Sequence, residues 1–164
     1  MRHEWGVVLK LVLTAILGMA ALAAVSWTGP AAAQAVRIDE IRAHVFYNRS
    51  GTLSDDILKT KPALFNIMIG AGDLKETADA VLIAVALKGP PSGFDQSETI
   101  TVTITDEKAK KKIVERKFNG FLFDDKGRLV KPIFLENKVC APLRVVAKGK
   151  SGEKAVTIPF MCGE

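Results

Sequence analysis

Thr99-Ile100-Thr101-Val102-Thr103-Ile104-Thr105 is the stretch that decides the fold class. An extended chain turns successive side chains to opposite faces, so Ile100, Val102 and Ile104 share one face and four threonines share the other. A strand with one dry and one wet face belongs to an antiparallel sheet laid over a core, because parallel sheets are covered on both sides. Upstream, Val81-Leu82-Ile83-Ala84-Val85-Ala86-Leu87 is apolar at every position, with its larger groups at Val81, Ile83, Val85 and Leu87. It reads as a central strand covered on both faces.

Further extended stretches are expected at Arg37 to Tyr47, Ala63 to Ile69, Lys111 to Phe118, Arg128 to Leu135, Leu143 to Lys148 and Lys154 to Phe160. Turn chemistry separates several of them, as in Asp106-Glu107-Lys108, Asp124-Asp125-Lys126-Gly127 and Gly149-Lys150-Ser151-Gly152. Asn119-Gly120 reads as a two-residue hairpin turn flanked by an aromatic pair, Phe118 and Phe121, or else as a bulge. Helical signal is confined to one or two turns near Thr52 to Leu58, capped by Thr52 or Ser54, and to a capping-box pattern at Asp73 to Glu76. Seven to eight short strands joined mostly by hairpins give an all-β reading: a single antiparallel β-sandwich of immunoglobulin-like architecture. The comparison is architectural, because the core tryptophan and the widely spaced intersheet cysteines of antibody domains are missing.

The N-terminus reads as a secretory signal peptide over residues 1–35, which leaves one domain over 36–164. Arg2 and Lys10 make a mildly basic start, Leu11 to Val25 run apolar, and Ala31-Ala32-Ala33-Gln34-Ala35 supplies small residues for a peptidase acting before Val36. There is no Arg-Arg pair, so the expected route is Sec-type export to a bacterial periplasm or beyond. The competing reading is a retained inner-membrane anchor, with Lys10 reaching the interface. In the processed chain no transmembrane segment is expected.

The formal net charge of +5 falls to +4 when Arg2, Lys10 and Glu4 leave with the leader. So small an excess does not argue for nucleic acid. Trp5 and Trp27 leave as well, so Tyr47 and the phenylalanines carry all the aromatic surface and ring-stacking sugar sites lose their usual platforms. Cys140 and Cys162 are the only cysteines, in a chain bound for an oxidising space, and a structural disulfide between them is expected. Their separation does not fit a C-x-x-C redox dithiol.

Chemistry is sparse. His44 is the one histidine outside the leader, and it lies on an alternating stretch where Arg42 and Phe46 share its face while Ala43, Val45 and Tyr47 take the other. No G-x-S-x-G elbow accompanies it. One histidine and a bonded cysteine pair cannot furnish a transition-metal site, and Asp124, Asp125 and Glu136 miss the spacing of a calcium loop. Gly70-Ala71-Gly72-Asp73 lacks the lysine of a phosphate loop. No catalytic residue, metal site or cofactor is assigned, and an enzyme would need carboxylates or lysines that spacing does not reveal.

The strongest surface feature is the basic cluster Lys108, Lys110, Lys111, Lys112, Arg116 and Lys117. It either guards an exposed strand edge or docks on an anionic surface, such as lipid headgroups or an acidic cell-wall polymer, or on an acidic envelope protein. The functional expectation is a non-enzymatic exported module that acts in the envelope through its surface. The alternative is a carrier of a small apolar ligand held between sheets by some of Phe65, Phe94, Phe121, Phe123 and Phe134.

Overall fold

The computed structural model describes residues 35–65, 74–136 and 140–161. Ten strands and one short helix follow in order: β1 (Arg37–Tyr47), β2 (Thr52–Leu53), α1 (Ile57–Thr60), β3 (Leu64–Phe65), β4 (Ala78–Lys88), β5 (Phe94–Asp106), β6 (Lys111–Leu122), β7 (Arg128–Glu136), β8 (Leu143–Gly149), β9 (Gly152–Ile158) and β10 (Phe160–Met161). The chain is all-β. Two antiparallel four-stranded sheets run in the orders β2-β1-β4-β7 and β6-β5-β8-β9, and neither closes into a barrel.

The alternation in the sequence is what builds the core. Val45, Val81, Ile83, Val85, Ile133 and Leu135 from the first sheet share one buried cluster with Ile100, Val102, Ile104, Val145, Leu143 and Ile158 from the second. Each such side chain contributes about 1.5–3 kcal/mol on burial. Lys131 reaches from β7 to two rings of β6, with its Nζ 5.4 Å from the centroid of Phe121 and 6.0 Å from that of Phe118. Its stem is half-buried while its charge meets two ring faces.

Several expectations change. Hairpins are fewer than the sequence implies: β1–β2, β5–β6 and β8–β9 are paired neighbours, whereas β4 to β5, β6 to β7 and β7 to β8 pass from one sheet to the other. Asn119-Gly120 is no turn. Both residues lie inside β6, where Thr99 pairs with Asn119 and Asp95 with Phe121, so the irregularity is a bulge on the facing strand. Gly120 meets it with a φ of 63°, a left-handed conformation that glycine adopts without a steric cost. Phe121 consequently packs with Phe123, at 6.5 Å between centroids, and not with Phe118.

The expected strand over Ala63 to Ile69 is described only as Leu64–Phe65, since residues 66–73 lie outside the described residues, as does Gly70-Ala71-Gly72-Asp73. The final stretch is broken at Pro159, which has no N–H to give the ladder. Beyond it, Phe160 and Met161 leave β9 and pair in parallel with Leu64 and Phe65. The helix α1 is capped by Asp56, whose Oδ1 accepts from the Leu58 amide, and not by Thr52 or Ser54. Ser54 is engaged elsewhere: its Oγ accepts from the Val45 amide and donates to the Asp55 carbonyl. Leu74 to Thr77 forms no helix.

The central strand β4 is dry on one face only. Val81, Ile83 and Val85 have no exposed surface, but Leu82 and Ala86 on the opposite face are half-buried. Alanines 80 and 84 are buried there because they are short and stand between taller residues of β1 and β7.

Candidate functional surfaces

The basic cluster lies where β5 turns into β6. The Asp106 Oδ1 atom accepts the amides of Lys108 and Ala109, each at 2.8 Å, and Lys110 takes a φ of 53° to complete the reversal. Only β5 pairs with β6, so β6 is an edge strand with exposed lysines along it. The cluster does not form one patch. Lys108, Lys110 and Lys111 sit at the tip, Lys112 and Lys117 stand opposite Thr105 and Thr101 on the threonine face, and Arg116 stands opposite core-facing Val102. Arg116 stays exposed. Lys112 is bound to Glu115 at 2.6 Å, and this contact and its charge hold the Glu115 carboxyl below its ordinary value.

His44 is half-buried on β1, as alternation requires, and its Nδ1 lies 2.8 Å from the Ser54 carbonyl. That contact belongs to a seam along the β1 edge. The Ser54 amide donates to the Val45 carbonyl, and the Ala43 amide donates to Asp56 Oδ1 at 3.1 Å. Side chains from the 54–56 segment therefore complete a ladder that β2 covers only at its end. Lys59 bridges Glu40 at 2.7 Å and stands 3.7 Å from Asp56 Oδ2. A cavity of about 420 Å³ beside this seam is lined by Tyr47, Ser54, Ile57, Lys61 and Glu76 among others. His44 is not among the residues that line it.

Asp124 serves a turn and, among the described residues, no metal site. Asp124 Oδ1 accepts the amides of Lys126 and Arg128, and its Oδ2 meets Arg128 Nε at 3.0 Å. Hydrogen bonding from the Arg128 amide, then from Lys126 and the Arg128 side chain, holds its carboxyl below the ordinary range. Among the described residues no group of three His, Cys, Asp or Glu side chains is placed to hold a metal ion. No described helix is long and apolar enough to cross a membrane. Cys162 lies outside the described residues, and so does the bond expected between it and Cys140, while no cysteine among the described residues is free.

The five phenylalanines do not gather. Phe121 and Phe123 are buried, Phe65 is half-buried, and Phe94 and Phe134 are exposed. Phe134 instead belongs to a surface that sequence reading missed. On the outer face of the first sheet the register aligns His44, Leu82 and Phe134, then Arg42, Ala84 and Pro132, then Glu40, Ala86 and Val130. Phe134 keeps 54% and Val130 43% of its surface exposed, so two of these strands present an apolar face to solvent. The alternation of Val130, Pro132 and Phe134 was visible in the sequence, but which face each residue takes depends on register with β4. No protein-family model matches the chain, and no curated protein matches its sequence.

Proposed function

We propose that this protein is an exported, non-enzymatic envelope module whose two sheets form an immunoglobulin-like sandwich and which binds another envelope protein through the apolar outer face of β4 and β7. The strand order supports the architecture. Taking β1, β4 and β7 as strands A, B and E, and β5, β8 and β9 as C, F and G, reproduces the neighbours of such a sandwich, with β6 added beside C. Export is supported at the N-terminus, where exposed Ala35 precedes Val36, which is 2% exposed and leads directly into β1. The proposed cleavage falls at that junction.

The observation that carries the function is the solvent-facing set Leu82, Val130, Pro132 and Phe134. Two strands about 4.8 Å apart, each with five residues at a rise of about 3.4 Å, make this face roughly 160 Å², which is too small to hold a stable homodimer and suits a transient heterologous contact. Phe134 and Val130, 54% and 43% exposed beside Pro132 and Leu82 on one sheet face, offer a partner protein a compact apolar contact. The ligand-carrier alternative loses support because Phe134 and Phe94 point away from the space between the sheets.

A photo-crosslinking residue at position 134 should give one discrete heterologous adduct in the envelope fraction, and the same residue at Glu153 should give none. Intact mass of the exported chain should begin at Val36. Uncrosslinked monomer from position 134, or equal labelling from both positions, would remove the interaction reading. A full-length mass in the membrane pellet would replace the processed module with an anchored one.

A further inference from the structure

The outer face of the second sheet differs in kind from the apolar face, and its register gives it a plan. β5 supplies Thr99, Thr101, Thr103 and Thr105 in a line. Across the sheet Thr101 stands between Lys117 of β6 and Lys148 of β8, and Thr105 stands between Lys112 and Arg144. The middle position, Thr103, lies between Glu115 and Val146. Four residues of extended chain separate the two cationic rows by about 13–14 Å. Against Glu115, tied to Lys112, and Glu153, opposite Lys148 on β9, the face carries Lys112, Lys117, Lys148 and Arg144, so it remains positive.

A second observation marks the same place. An open depression of about 640 Å³ lies along this face, lined by Thr99, Thr101, Thr103, Val146, Lys148 and Lys150. Its floor is built. Glu98, 6% exposed within the β5 bulge, accepts the amides of Thr99 at 3.1 Å and Lys150 at 3.0 Å through one oxygen, pinning the end of β8 to β5. Lys150 Nζ donates to the Ser97 carbonyl. The depression is thus held by hydrogen bonds that run between strands far apart in sequence.

We propose that this face binds a linear acidic polysaccharide laid along β5, with carboxylates on the two cationic rows and sugar hydroxyls on the threonine track. Charge complementarity selects an anion. A row of hydroxyls, each able to donate and accept, suits a hydroxyl-rich chain. A membrane is disfavoured because the stretch between the two cationic rows offers Val146 but no large apolar side chain to insert, while exposed Phe94 and Leu122 stand apart at the start of β5, beyond its bulge. No aromatic ring stands between the cationic rows, since Tyr47 is buried on the other sheet and Phe94 lies at the start of β5 beyond the bulge, so recognition there rests on charge and hydrogen bonding.

The test uses the purified protein and immobilised polygalacturonate, with dextran as the neutral polymer and phosphatidylglycerol vesicles as the lipid surface. Binding should appear on polygalacturonate alone and weaken as salt rises. Lys117→Gln with Lys148→Gln, and separately Thr101→Val, should each weaken it by roughly tenfold with unchanged melting temperature. Lys108→Gln, Lys110→Gln and Lys111→Gln together remove more charge at the hairpin tip and should change it less than about twofold. Equal loss from the tip triple would reduce the effect to unspecific charge, and stronger binding to the vesicles would transfer the surface to lipid. No binding to polygalacturonate at low salt would overturn the assignment.

Discussion

Single residues decide how tightly the two sheets can be finished. Gly149 ends β8 where a Cβ would fall 2.4 Å from Ile100 Cδ1 and 3.0 Å from Glu98 Oε1. The isoleucine is fully buried and Glu98 is already committed to two amides, so neither neighbour can retreat cheaply. Gly149→Ala should therefore destabilise the protein by about 1–3 kcal/mol, as overpacking does. Urea unfolding would measure this, and a loss under about 0.5 kcal/mol would mean that the bulge relaxes. Turn residues such as Asp106 and Asp124 were legible as turn formers, because a short acceptor reaches amides two to four residues ahead. Glu98 was not legible. Its partner amide lies 52 residues away, and nothing local distinguishes it from an exposed glutamate.

At the scale of the element, the strands follow from alternation, and their edges follow from pairing. β6 carries Lys111, Lys112 and Lys117 where one side has no partner strand, and charged edges resist pairing with another chain. Replacing Lys110, Lys111 and Lys112 with glutamine should leave the melting temperature nearly unchanged, since the one ion pair lost is solvent-exposed. Self-association on concentration should increase, visible by light scattering. A drop of several degrees would show that the hairpin charges hold the fold, and unchanged scattering would remove the edge-guard role. β10 shows the opposite case: Pro159 stops one ladder, and Phe160, 2% exposed, starts another against β3. A run that alternates cleanly across a proline still has to change partners there.

For the whole molecule, the last described residues leave the main sheets, with Phe160 paired in parallel to Leu64 and Met161 to Phe65. Two described pairs give a terminal segment little hold by themselves. The Cys140–Cys162 disulfide we propose would fasten it by closing a loop of about 23 residues, for roughly 2–4 kcal/mol. Cys140→Ser with Cys162→Ser should keep the β-sheet circular dichroism and lose stability by that amount, and the untreated protein should be two hydrogens lighter than its reduced form. Two free thiols in protein taken from its native compartment would refute the bond. Full stability with altered activity would instead point to a redox pair.

The sequence alone determined the all-β class, the position of nearly every long strand, the inward set Ile100, Val102 and Ile104, and the half-buried place of His44. Those properties are local, because a period of two fixes which residues share a face whatever the neighbours are. Tertiary structure alone decided which strands lie side by side. A one-residue change of register would turn every side chain to the other face, and no local signal records it. Pairing Leu82 with Phe134 makes an apolar surface, and pairing Thr101 with both Lys117 and Lys148 makes a cationic one. The two faces that carry the proposed functions are products of that register.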